Sequence, residues 1–260
     1  MNYGTALDSP IVRHFIVFLF ILSLWSCSTS EQEVNEIQPP AEEDKYPDGP
    51  GLNVAFLIMD GTYNTELTAP LDIFHHTKFR DSIDAMDVFT IAESTDPITT
   101  FEQLTITPDY SFNEQYPPID ILVVPSAEHH LDSDLKNEAL INFIQQTDET
   151  AEYITSHCDG AFLLAEAGLL EGIHCTTFPA DIEEMRMRYE HPIIHDSTLF
   201  VHDGKYITSA GGAKSFEAAL YLVELLYGKE NAEQIAEGMV IDWDLESVHH
   251  IVIERVDLQE

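Results

Sequence analysis

Basic residues are scarce: 11 Lys+Arg stand against 47 Asp+Glu, a formal net charge of −36. A surface so short of cations repels phosphate backbones and anionic head groups, so no nucleic-acid partner is expected. The same charge keeps a chain soluble. Cysteine is nearly absent, with 3 in 260 residues and no CxxC pair. That excludes a disulfide scaffold or a cysteine-built metal centre. A core of about 200 residues buries roughly 70% of its unfolded surface and needs no staples. Long apolar runs are also lacking: Phe15–Leu22 is followed at once by Ser23, whereas a membrane span needs about 20 residues. What remains is 44% hydrophobic and 10% aromatic, the make-up of a globular chain rather than an acidic disordered one.

The sequence divides into three parts. Residues 1–26 read as a signal segment, with the apolar stretch Ile11–Leu24 interrupted by Arg13 and His14 near its start and by Ser23 near its end. It ends in Leu24-Trp25-Ser26-Cys27, which resembles a bacterial lipoprotein processing site, with Cys27 the residue to be lipidated. An ordinary signal peptide and an uncleaved anchor are the alternatives. Residues 27–50 carry seven acids, four Pro and one Lys, too little apolar surface to offset the entropy of ordering, and read as a flexible tether. Residues 51–260 form the folded domain. The expected location is the cell envelope, with the membrane reached only through the N-terminal lipid. Cys158 and Cys175 are expected to remain unbonded.

The domain alternates strand and helix. Asn53–Met59 is a near-continuous apolar run, as a strand buried on both faces would be. Leu67–Phe79 follows with helical periodicity. Met86–Ala92, Leu104–Phe112 (broken by Pro108), Ile119–Val124 and Tyr153–His157 read as further strands. Asp134–Gln146 reads as a helix capped by Asp132 or Ser133, and Ala161–Ala167 as a helix stopped by Gly168. Asp203-Gly204 marks a hairpin between Thr198–His202 and Lys205–Ser209. Lys214–Tyr227 is an amphipathic helix closed by Gly228, and Val248–Ile253 a last strand. This alternation implies an α/β fold with a mostly parallel sheet covered on both faces. Ligands of such folds sit beyond the carboxyl ends of the strands, where loops 60–66, 125–130 and 157–160 fall.

Cys158 lies between a strand and a helix, with Gly160 two residues on. That is the pattern of a nucleophile elbow. A helix start beside the sulfur favours a thiolate with a lowered pKa. The competing reading is a small buried hydrophobe.

The blocks Val54–Gly61, Ala69-Pro70-Leu71-Asp72-Ile73-Phe74, Pro108–Phe112, Asp120–Pro125, Cys158–Gly172 and Ile207–Gly212 occur in an order that resembles the ThiJ/PfpI superfamily. That group includes the parkinsonism-associated deglycase and the isonitrile hydratases. The resemblance covers about residues 52–230. It implies a flavodoxin-like, class I glutamine amidotransferase-like fold, a homodimer, and a small-molecule ligand or substrate. It implies that Cys158 is the nucleophile and that Glu66, four residues before Pro70, hydrogen-bonds it. A carboxyl donating to a thiolate must be protonated, which burial promotes. A solvated acid in the first turn of a helix is the alternative for Glu66.

Three positions depart from the family pattern. Phe178 stands where many members carry a histidine, Ser126-Ala127 replaces the Gly-Gly whose amides form an oxyanion hole, and Asp159 follows the cysteine. Backbone donors survive the change at Ser126 and Ala127 if φ stays allowed. Asp159 opposes a thiolate unless it caps the helix. Glu128-His129-His130 follows the oxyanion-type loop, and His129 or His130 is the candidate replacement base, with ordinary loop histidines as the alternative. No metal or other cofactor is expected. Two functions fit: hydration or hydrolysis of a small electrophile through Cys158, or a non-catalytic ligand or redox sensor in which Cys158 is oxidised. The missing Cys-His pair speaks against classical proteolysis.

Overall fold

The structure, a computed structural model, describes residues 51–254. The signal segment, Cys27, the whole of the tether and residues 255–260 lie outside the described residues.

An eight-stranded sheet organises the domain, in the order β12-β10-β11-β7-β6-β1-β2-β5. Its strands are β1 (Asn53–Leu57), β2 (Asp87–Ala92), β5 (Tyr110–Ser111), β6 (Ile121–Val124), β7 (Tyr153–His157), β10 (Phe200–Asp203), β11 (Tyr206–Ser209) and β12 (His250–Ile253). Every pairing is parallel except β10 with β11. Two-stranded ribbons stand apart: β3 (Ile98–Thr99) with β4 (Thr105–Ile106), and β8 (His174–Cys175) with β9 (Ile193–Ile194).

The helices are α1 (Asn64–His75), α2 (Glu138–Asp148), α3 (Gly160–Glu166), α4 (Ile182–Arg188), α5 (Ser215–Tyr227) and α6 (Lys229–Gly238). They divide the core in two. Val54 and Phe56 of β1, with Ile121 and Val123 of β6, enter one cluster with Leu67, Ile73 and Phe74 of α1 and the buried face of α5. Ala55 and Leu57, with Leu122 and Val124, enter the opposite cluster with α2 and α3. Successive strand side chains point to opposite faces, so a strand apolar at every position serves both layers.

Three local expectations change. The α2 cap is Asn137, whose side chain accepts from the Ala139 and Leu140 amides at 3.1 and 3.2 Å; residues 134–136 wind instead as a short 3-10 turn, which puts Asp132 and Ser133 out of reach. The hairpin turn is Gly204-Lys205, because Asp203 pairs with Tyr206 inside the ladder; Gly204 has φ +64°, and a two-residue turn with glycine first matches the twist of its strands. The region Leu104–Phe112 splits, β4 pairing with β3 and β5 with β2. Helices α4 and α6 were not anticipated.

Candidate functional site

The carboxyl ends of β1, β6, β7 and β11 bring the site together. The loop after β1 is tied to the loop after β6: the Tyr63 amide donates to the Ser126 carbonyl at 3.0 Å, and the Glu128 amide to the Gly61 carbonyl at 3.0 Å. The Cys158 amide donates to the Ser209 carbonyl at 2.9 Å. Cys158 adopts φ +55°, a conformation most side chains avoid. The strained turn follows from packing on both sides. A Cβ on Gly160 would overlap the Val124 carbonyl oxygen, and one on Gly211 would overlap Cys158 itself. The tight strand-to-helix turn read from Cys158 and Gly160 is present, held by a glycine from a distant loop.

Glu66 projects from the first turn of α1 and is buried. Its Oε1 accepts from the Gly212 amide at 3.1 Å and its Oε2 from the Ser126 amide at 3.2 Å. Pro70, four residues on, has no N–H to give the Glu66 carbonyl. Burial raises the Glu66 pKa, while the Gly212 amide, the Cys158 thiol and the Ser126 amide lower it, and the net shift is upward. Glu66 is therefore beside the thiol rather than solvated. The Ser126 amide is committed to Glu66, which leaves the Ala127 amide as the remaining donor of the expected oxyanion pair.

The thiol departs from the expectation. Burial, then the charges of Glu66 and Asp159, push its pKa up; the Asp159 amide and the Ser126 side chain oppose this and lose. Helix α3 is a single short run of seven residues, and the sulfur at its start is desolvated and flanked by two acids. Burial and the flanking acids thus favour the neutral thiol at Cys158. Cys175, the second free thiol, is buried in β8 with its pKa raised to about 12.

Asp159 occupies the cap position of α3 without making a side-chain cap bond. Its Oδ1 accepts instead from the Thr177 hydroxyl at 3.1 Å, and the same hydroxyl lies 3.0 Å from the Cys158 carbonyl oxygen. Burial and the neighbouring charge of Asp181 raise its pKa to about 7.

The candidate histidines have other surroundings. His130 is fully buried, with Nε2 3.3 Å from the Met59 sulfur, and burial lowers its pKa to about 3. His129 lines a separate cleft of about 500 Å³ with Asp60, Glu93 and Asp96. His157 is buried against the Ser209 hydroxyl at 2.9 Å, its pKa also lowered to about 3. Neither His129 nor His130 is among the main influences on the Cys158 thiol. Phe178 is 39% exposed and presents no titratable group. His191 and His195 stand four residues apart but flank β9, and His195 instead meets His174 with nitrogens 2.8 Å apart. Among the described residues no three His, Cys, Asp or Glu converge as a cation site.

Two further residues join the site without a motif to mark them. Tyr63, three residues before Glu66, has its pKa raised by burial and by the charges of Cys158, Glu128, Glu66 and Asp159. Phe101 from the β3–β4 ribbon lies against it, ring centroids 4.6 Å apart, and Glu102 accepts from the Asn64 amide at 3.0 Å. Thr177 is the other. A cavity of about 480 Å³ opens beside Thr177 and Ala210.

A mostly parallel, doubly covered sheet with a cysteine on a strained strand-to-helix turn and a buried glutamate facing it defines a class of α/β domain with a thiol-centred site. The chain belongs to the DJ-1/PfpI family, whose model matches residues 52–225. It is 27% identical over 184 residues to the isonitrile hydratase of Pseudomonas putida, covering 71% of this chain and 76% of that one. It is 24% identical over 193 residues to the Parkinson disease protein 7 homolog of Danio rerio, covering 74% and 98%. Among solved structures it superposes on a ThiJ/PfpI family protein from Pseudomonas syringae with TM-score 0.66 and 23% identity, over 81% of this chain and 84% of that one. It also superposes on Drosophila melanogaster DJ-1beta with TM-score 0.63 and 20% identity, over 74% and 100%. These two likenesses establish the flavodoxin-like fold.

Proposed function

We propose that this chain is a cysteine-dependent hydratase or hydrolase of a small electrophile, with Cys158 as nucleophile. The observation that carries the reading is Cys158 at φ +55° on its elbow with Glu66 buried against it. The thiol adds to an electrophilic carbon, Glu66 holds the sulfur in place, and the Ala127 amide faces the developing negative charge. Water then releases the product. An isonitrile is the first substrate to try, from the name of the Pseudomonas putida relative. Within this reading the mature chain sits in the cell envelope, tethered through Cys27 and acting as a homodimer; the N-terminal sequence supports the first and the family the second.

The absence of an imidazole at Phe178 favours the alternative, a redox sensor in which Cys158 becomes a sulfinate. A sulfinate there would take its hydrogen bonds from Glu66 and Asp159, whose raised pKa values favour the protonated form. Turnover of an isonitrile to its formamide, and of an α-oxoaldehyde as the second class, tests the proposal. The wild-type chain should turn over one of them, and Cys158→Ser should lose at least about a thousandfold. Retained turnover in the serine variant overturns the nucleophile role. No turnover of either, with sulfinate accumulating at Cys158 under peroxide, supports the sensor.

A further inference from the structure

We propose that Asp159 is the general base and acid of this site: its carboxylate takes the thiol proton as the sulfur attacks and its carboxyl returns that proton to the substrate. The inference rests on the reading of Cys158 as the nucleophile and goes beyond it by assigning the proton transfer that the family-type histidine would otherwise perform.

Geometry supports the assignment first. Asp159 follows the nucleophile in sequence, yet its carboxyl makes no bond to the helix it precedes. Thr177 holds it at 3.1 Å while lying 3.0 Å from the Cys158 carbonyl oxygen. One hydroxyl therefore pins the carboxyl to the backbone of the elbow. This carboxyl and the Cys158 thiol each act on the other's protonation. Glu66 also meets the thiol, but each of its oxygens already accepts from a backbone amide. It is fixed in place, whereas Asp159 receives one hydroxyl.

The surrounding charges suit the role. Asp181 ahead of α4, Glu66 from α1 and the thiol face this carboxyl, and Tyr63 feels its charge. The neutral ring of His130 lies against its backbone. Burial and Asp181 bring its pKa to about 7, where a carboxyl exchanges most readily between base and acid forms near neutrality. The step balances. The S–H proton passes to the Asp159 carboxylate as the S–C bond forms, the displaced electron pair settles on the attacked carbon of an isonitrile or on the oxygen of an α-oxoaldehyde, and the Asp159 carboxyl protonates that atom.

Site-resolved alkylation of the full chain by iodoacetamide tests this without a known substrate; here iodide leaves as the S–C bond forms. In the wild type, modification of Cys158 should rise roughly tenfold between pH 6 and 8 and then level, following the ionised fraction of a group titrating near 7. Cys175 serves as the internal control. Asp159→Asn should abolish that inflection and slow modification at pH 7.5 by about a hundredfold. Thr177→Val should move the inflection upward, because a hydrogen bond that favours the anion is lost. Modification that is equal or faster in Asp159→Asn at pH 7.5 overturns the proposal, since the carboxylate would then only repel a thiolate. An inflection unmoved in both variants overturns it as well. A wild-type Cys158 unreactive up to pH 9 overturns the nucleophile reading together with it.

Discussion

Gly211→Ala puts the elbow under a test whose size follows from the structure. Gly211 has φ +75° and ψ −157°, a region that is essentially glycine-only and costs another residue about 1–3 kcal/mol. Its added Cβ would overlap the Cys158 Cβ and stand 2.6 Å from the Cys158 nitrogen and 2.8 Å from its Cα. Those are backbone or near-backbone atoms on a strained turn, so relief means moving the turn, at a further cost of about 1–3 kcal/mol by analogy with overpacking. Gly212→Ala is the matched control. It too has positive φ, +58°, but nothing lies within 4 Å of its added Cβ, so about 1–2 kcal/mol is expected. The entropy that alanine removes from the unfolded chain is common to both and cancels. Urea denaturation should therefore find Gly211→Ala less stable than Gly212→Ala by about 2–3 kcal/mol. Cys158 alkylation should change in the first variant and hold in the second. Equal stabilities within about 0.5 kcal/mol would refute the reasoning that contact with Gly211 shapes the elbow.

Two other perturbations have clear signs. Asn137→Ala removes the oxygen that accepts from Ala139 and Leu140 and should cost about 1 kcal/mol in urea denaturation, with Ser133→Ala near zero. The buried His130 and His157 have folded pKa values lowered to about 3, below the unfolded value of about 6.5. Their contribution to stability is thus full above pH 6.5 and is lost as pH falls toward 3, because the unfolded chain binds the protons. Asp159, raised to about 7, works in the opposite sense, contributing fully below about pH 3.8 and losing that contribution as pH rises through 7. His130→Leu should flatten the dependence of stability on pH between 6 and 4 by about 1.4 kcal/mol per pH unit. An unchanged slope would mean that the ring already titrates in the folded chain.

Strand–helix alternation and the two-faced burial of β1 and β6 were legible because a side-chain period of two imposes an apolar residue at every position of a doubly covered strand. Helix α6 was not legible: only Ala232, Ile235 and Ala236 of its ten residues are buried, too thin an apolar stripe to stand out of a polar segment. The hairpin register was missed by one residue because Asp203 looks like a turn residue but is wholly buried in the ladder, its Oδ2 accepting from the His174 amide.

The sequence by itself determined the alternation, the covered parallel sheet and the turn that presents Cys158, because periodicity and glycine placement act locally. Tertiary structure decided the chemistry around the sulfur. Glu66 meets Gly212 across 146 residues, Thr177 holds Asp159, and the Ser126 amide turns from its expected anion-binding role to Glu66. It also reversed the expected direction of the thiol's pKa. A helix start is a local signal that favours an anion, but desolvation and flanking acids depend on what the whole chain packs around the sulfur, and here they push the thiol's pKa up.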